Sequence, residues 1–165
     1  MTPPGASPQE PEIDRTVRIL SADGAISPSA SAERYLPLIE ALGDAELEQF
    51  YRDMAVIRAF DRQATLLQRQ GQLALWPPSQ GQEAAQVGSA RAARAQDHLF
   101  PSYREHVVAT IRGVDPVDII KLMRGTSHGG WDPTARKSGD TNLYTLVVGS
   151  QRLHATGYGM GIAFD

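Results

Sequence analysis

Ser102, Tyr103 and Arg104 fall where a short extended stretch, His98 to Phe100, turns through Pro101-Ser102 into a helical run ending at Gly113. An arginine in the first turn of such a helix sets its fork of donors beside backbone N–H groups that have no partner within the helix. That combination suits a phosphate or diphosphate. The Tyr103 hydroxyl adds a further donor. The alternative for the same residues is a surface arginine paired with Glu105 or another carboxylate.

Gly149-Ser150-Gln151 follows the most strand-like run in the sequence, LYTLVVGS. Ligands collect at the carboxyl ends of parallel strands, where a hydroxyl, a carboxamide and free carbonyls can hold a monovalent cation or a cofactor ring. An ordinary turn with Ser150 as N-cap accounts for these residues as well. GYGMG at Gly157 to Gly161 has the wrong spacing for a dinucleotide loop and lies within a helical stretch, so close helix packing is its simpler use. The four histidines, His98, His106, His128 and His154, show no pair at metal-ligand spacing. His106 and His154 read as core or surface residues; His128, in SHGGWDP, sits in a segment with a functional cast. Trp76, ahead of Pro77-Pro78, reads as a buried plug or an interface aromatic.

The elements that must position these groups can be drawn from periodicity and punctuation. Leu47, Phe50, Met54, Ile57 and Phe60 recur at spacings of three and four, predicting a helix of about 26 residues from an Asp44 N-cap to a Gly71 C-cap. Gly81 to Ala95 is helical by propensity and rich in Ala and Gly, predicting burial of a small-residue face against a second helix. Asp115-Pro116 starts a helix through Arg124 that Gly125 stops. Thr126 to Asn142, containing RKSGD, is a loop long enough to suggest function or disorder. Residues 143–150 are the expected strand, and QRLHATGYGMGIAF is the helix after it. Upstream, Pro3, Pro4, Pro8, Pro11 and Pro28 predict disorder over residues 1–12, and VRIL with Asp23-Gly24 predicts a short strand and turn in an arm.

A chain of 165 residues with 41% hydrophobic and 21% charged residues suits one globular domain, and its net charge of −3 gives no support for nucleic-acid binding. It has no cysteine, which removes disulfides, thiolate metal sites and thiol nucleophiles, and fits a cytoplasmic setting. No run approaches the roughly 20 apolar residues of a membrane helix.

Taken in order, QRQGQLALWPPSQGQEAAQVGSA, DHLFPSYREH, RGVDP and VVGSQRLHATGYGMGIA resemble the α subunit of thiamin-diphosphate-dependent 2-oxo acid dehydrogenases, the E1 component. The likeness covers about residues 44 to 165. It implies an α/β thiamin-diphosphate-binding fold, a parallel sheet flanked by helices. It also implies oxidative decarboxylation of pyruvate, with branched-chain 2-oxo acids as the alternative substrate, and acyl transfer to a lipoyl group. By resemblance, Tyr103 and Arg104 contact the cofactor diphosphate, backbone groups of Leu146 to Val148 touch its aminopyrimidine ring, and Ser150 and Gln151 match a potassium site of branched-chain members. Gln82 and Glu83 match a GQE segment with a supporting role. The implied partners are an E1 β subunit, a second α subunit and the lipoyl acyltransferase.

Two departures from the family pattern stand out. The GDG signature that anchors magnesium is expected just beyond Asp165, so the fold is expected to be cut before its metal-binding motif. The 165-residue chain alone is accordingly expected to be inactive. The second departure is the loop, where RKSGDTN occupies the place of a cofactor-contacting histidine and His128 lies too far upstream to match it. The expected organisation is an N-terminal arm over residues 1–42 and an incomplete cofactor-binding domain over 43–165. An alternative role is a non-catalytic interaction module that docks on an E1 β or α subunit through its small-residue helices.

Overall fold

The computed structural model describes residues 16–135 and 139–164. The disorder expected over residues 1–12, and the RKS part of the loop, lie outside them. The chain divides into two compact units with a boundary between Leu47 and Glu48.

In the first unit, Leu20 and Ile26 form a single antiparallel bridge closed by Ser21 N–H to the Ala25 carbonyl, and Gly24 supplies the positive φ of 85° that the turn needs. A 3-10 turn, Glu33–Tyr35, leads into the short helix α1, Leu36–Glu40, neither of which the sequence reading anticipated. Helix α2, Asp44–Arg69, begins at Asp44 itself rather than being capped by it. Instead the Glu46 carboxylate reaches back to the Gly43 N–H, the reciprocal half of a capping box.

The second unit carries most of α2 followed by α3 (Glu83–Ala92), α4 (His106–Ile111), α5 (Pro116–Arg124) and α6 (Ser150–Phe164). Its main core joins Ala64 of α2 to Leu73, Trp76, Ala109, Ile119, Met123, Trp131 and Tyr144. A smaller cluster packs Ile57, Val87 and Val107 together. Helix α5 is punctuated as its sequence says: Asp115 accepts from the Val117 N–H, Pro116 opens the helix, and Gly125 closes it at φ 78°. None of its helices is long and apolar enough to cross a membrane, among the described residues.

Three expectations are corrected. Ala84, Ala85 and Gly88 of α3 are exposed, and its buried stripe is Glu83, Gln86, Val87 and Ala90. The face was misjudged because polar side chains with partners can be buried while alanine loses little by staying in water. Helix α6 likewise has no buried residue, and a Cβ added at Gly157, Gly159 or Gly161 would meet nothing within 4 Å. The third correction concerns the strand expected over residues 143–150. Among the described residues there is no strand; besides the antiparallel Leu20–Ile26 bridge there are two parallel ones, Leu99 to Thr141 and Ser102 to Thr145. Residues 146–148 pair with no neighbouring segment among the described residues, and Leu146, Val147 and Val148 are 59%, 73% and 79% exposed. A β-branched run has strand propensity, but without a ladder on at least one side it has no strand to join.

Arg112 fastens the segment that carries these bridges. Its guanidinium donates to the carbonyls of Gly139, Arg94, Ala95 and Asp97, tying the turn after α3 to the start of residues 139–145. Trp131 adds an indole N–H to the Thr141 carbonyl at 2.7 Å, so the long loop is pinned by a core aromatic.

Candidate functional site

The site is built around a short strap, Trp76-Pro77-Pro78-Ser79, that crosses between α2 and α4. Ile57, Asp61 and Ala64 form the buried stripe of α2, so Asp61 occupies a core position. Its Oδ1 accepts from Trp76 Nε1 at 2.9 Å and from the Ser79 N–H at 3.1 Å. The two prolines between have no N–H to satisfy, and their carbonyls are free to point toward α4. Pro77 O faces His106 Nε2 at 3.0 Å, and Pro78 O accepts from Arg104 Nη1.

Arg104 was expected in the first helical turn, but α4 starts two residues later, at His106. The Gln86 carboxamide causes the shift: Nε2 donates to the Arg104 carbonyl at 3.1 Å, while Oε1 accepts from the Val107 N–H at 3.2 Å. A side chain from α3 thereby caps α4, a task that Glu105 at the N-cap does not perform. The Arg104 guanidinium lies 5.4 Å from the Tyr103 ring centroid and is anchored by the Pro78 carbonyl. Among the described residues it forms no ion pair, with Glu105 or any other carboxylate. Arg104 thus keeps donors available after it has been fixed in place.

The parallel bridge from Ser102 to Thr145 joins the residue before Tyr103-Arg104 to the residue before Leu146-Val147-Val148. Leu146 also borders a cavity of about 190 Å³, with Leu75, Leu122, Met123 and Tyr144 among its walls. Ser150 is the first residue of α6, and its hydroxyl donates to the Val147 carbonyl at 2.8 Å. Gln151 Oε1 is buried without a partner. His128 is exposed.

His106 is fully buried between the strap and Tyr144. A carbonyl only accepts, so Nε2 carries the proton toward Pro77, and Nδ1 is left to accept from the Tyr144 hydroxyl at 3.3 Å. Burial pushes the imidazole down to about 4, with the Arg104 charge acting in the same direction and Asp61 and the Pro77 carbonyl opposing it. The Tyr144 hydroxyl is pushed up, by burial first and by Glu105 second. Both groups are neutral at neutral pH. At the start of α3, Arg58 holds the Glu83 carboxyl below the usual carboxylate range through a 2.8 Å hydrogen bond, and Glu83 also accepts from the Gly81 N–H.

Buried polar atoms without partners test what the site would accept. Ser79 Oγ, Glu105 Oε2, Thr145 Oγ1 and Gln151 Oε1 are in that state among the described residues. Ser79 adjoins the carbonyl that anchors Arg104, and Thr145 pairs with Ser102. Two unsatisfied hydroxyls in the segments beside an arginine with spare donors fit an anion with several oxygens. Glu105 Oε2 does not fit an anion and suits a proton donor or a cation. Among the described residues, no group of three or more His, Asp or Glu side chains converges as a metal site would require.

The sequence singles out Tyr103, Arg104 and the 146–148 segment as candidates, whereas Asp61, Gln86 and the proline carbonyls, which hold this region together, are not among them. The available signal was a polar residue at the helical spacing of core-facing positions: Asp61 between Ile57 and Ala64, Gln86 between Glu83 and Ala90.

Residues 51–164 match the dehydrogenase E1 component family, and the chain belongs to it. Among curated relatives, it is 39% identical over 144 residues to the 3-methyl-2-oxobutanoate dehydrogenase subunit alpha of Mycobacterium tuberculosis (strain ATCC 25618 / H37Rv). That match covers 87% of this chain and 37% of the relative. The pyruvate dehydrogenase E1 component subunit alpha of Bacillus cereus is 26% identical over 147 residues, covering 89% of this chain and 37% of that protein. The corresponding subunit of Acholeplasma laidlawii is 34% identical over 114 residues, 69% of this chain and 32% of its own. The chain therefore spans about a third of the length of these relatives, 32% to 37%.

Proposed function

We propose that this chain forms the diphosphate-holding part of an E1 α subunit in a 2-oxo acid dehydrogenase, with thiamin diphosphate as the cofactor. The observation that carries the reading is Arg104, anchored by the Pro78 carbonyl yet unpaired with any carboxylate among the described residues. When bound, the cofactor supplies the nucleophilic centre for decarboxylating a 2-oxo acid. The chain's own residues bind and orient it: Arg104 and the Tyr103 hydroxyl donate to the diphosphate, with Ser79 and Thr145 offering further hydroxyls. Backbone groups of Leu146 to Val148, which follow the bridged Thr145, are proposed to meet the ring. Magnesium and a potassium ion at Ser150 and Gln151 belong to the same proposal, as does a thiamin-diphosphate fold with a parallel sheet, supported by the two parallel bridges. A cytoplasmic setting is part of it too.

The substrate class is a 2-oxo acid. The 39% identity to a 3-methyl-2-oxobutanoate dehydrogenase subunit, against 26% to the Bacillus cereus pyruvate subunit, supports a branched-chain acid alongside pyruvate.

Helix α6 favours a second, compatible reading as an interaction module. Leu153, Met160, Ile162 and Phe164 are all more than half exposed, and its glycines leave room for a close-packed backbone. An E1 β subunit, a second α subunit and a lipoyl acyltransferase are the proposed partners. Calorimetric titration tests the cofactor reading. Thiamin diphosphate with magnesium is expected to bind and unphosphorylated thiamin to bind more weakly by about tenfold or more, the worth of charge-assisted contacts to the diphosphate. Equal affinity for the two would overturn the reading. Size-exclusion chromatography with an E1 β subunit tests docking, and failure to co-elute would count against it.

A further inference from the structure

We propose that Asp61 is a positioning residue for Arg104, acting through the Trp76–Ser79 strap; the inference rests on the reading that Arg104 holds a diphosphate. Asp61 is 2% exposed and, among the described residues, pairs with no cation. Burying a carboxylate without an opposite charge is costly unless hydrogen bonds replace its water. Here one oxygen, Oδ1, accepts from both ends of the strap, the Trp76 indole and the Ser79 backbone. Pro77 and Pro78, with φ fixed by their rings, make the segment between these two anchors stiff. The outcome is a single carbonyl direction at Pro78, and that carbonyl is what holds the Arg104 guanidinium.

The second route to Arg104 fixes a different part of it. Gln86 holds its backbone carbonyl and sets where the residue starts, whereas the strap sets where the guanidinium ends. Loss of Asp61 is therefore expected to leave Arg104 in place along the chain and free its side chain. That outcome separates positioning from general support of the fold, because an arginine side chain already ordered by other contacts would not respond.

Nitrogen-15 NMR of the arginine side chains, with Arg104 assigned by loss of its signal in Arg104→Lys, reads the effect directly. The wild-type chain is expected to give a protected Arg104 Nη1–H signal, the donor that the Pro78 carbonyl holds. Asp61→Ala is expected to give an averaged, fast-exchanging one, and Asp61→Asn, which keeps an Oδ1 acceptor for both donors, is expected to restore it. In parallel, the dissociation constant for inorganic pyrophosphate should rise about tenfold in Asp61→Ala and less than about twofold in Asp61→Asn, the effect of misplacing one charge-assisted donor. Should Asp61→Ala not fold, Trp76→Phe takes its place, removing the indole N–H while keeping an aromatic ring against His106; it is expected to loosen Arg104 in the same sense. An Arg104 signal unchanged in the folded variant overturns the positioning role. A wild-type chain that does not bind pyrophosphate overturns the diphosphate reading instead, and the NMR comparison still decides the role of Asp61.

Discussion

The indole of Trp76 lies on the imidazole of His106, ring centroids 4.3 Å apart and planes 15° from parallel. The contact places a neutral aromatic face where a protonated imidazole would need water, and it joins the strap to α4 at the point where Pro77 also takes the His106 N–H. The groups that face this imidazole are few. Tyr144 donates to it, Asp61 favours its charged form, and Arg104 opposes that form.

Acid should loosen this junction before carboxylates are titrated. The folded-state value of about 4 lies below the ordinary 6.5, so the unfolded chain takes up the proton first and stability falls as pH drops through that interval. The cost is on the order of 3 kcal/mol across the window. Urea midpoints should decline from pH 6.5 toward 4 in the wild-type chain and stay nearly flat over the same range in His106→Gln. A wild-type midpoint that is flat over this interval would contradict the burial argument. Below about 4.5, Glu83 should add to the loss, since its depressed value makes its stabilisation vanish as it is protonated.

Gln86 should prove costly to replace although it is neither charged nor catalytic. Gln86→Leu keeps the volume and removes both bonds to the backbone, leaving the Arg104 carbonyl and the Val107 N–H without their partner. An expected loss of about 2 kcal/mol follows from orphaning buried backbone groups, measurable by urea denaturation, with Gln86→Glu restoring only the accepting half. A loss near zero would show that α4 needs no cap from α3.

Glycines should divide by surroundings rather than by number. A Cβ at Gly129 would run into the Lys121 carbonyl, so Gly129→Ala should destabilise by about 1–3 kcal/mol, the usual cost of overpacking. Gly159→Ala in α6 meets nothing within 4 Å and should stabilise the chain alone by about 0.5–1 kcal/mol through helix propensity. If a partner helix covers that face, the same alanine should weaken its docking. Thermal melts supply the first comparison and a co-elution assay the second.

How much of this could be read from the chain depends on the physics of each element. Helices α2 and α5 were legible because an apolar stripe and caps such as Asp115 and Gly125 are local signals. The start of α4 was not, because the group that sets it, Gln86, comes from another helix 18 residues away from Arg104. The run Leu146 to Val148 looked like a strand because β-propensity is written in the side chains, whereas a ladder must be supplied by a neighbour. At the candidate site, Tyr103 and Arg104 stand out by residue type and position, and their binding role is a proposal. What holds Arg104 does not stand out, since Pro78 contributes a carbonyl, which every residue has, and Asp61 acts on it only through the strap.

The central claim is that Arg104 is held ready for a diphosphate, and the most direct test is the affinity of the chain for inorganic pyrophosphate with and without its guanidinium. In Arg104→Met, which keeps much of the aliphatic stem, the dissociation constant should rise about tenfold or more while the melting temperature changes little, as expected for losing a charge-assisted contact to ligand. Equal pyrophosphate affinity in the wild-type chain and in Arg104→Met would contradict it.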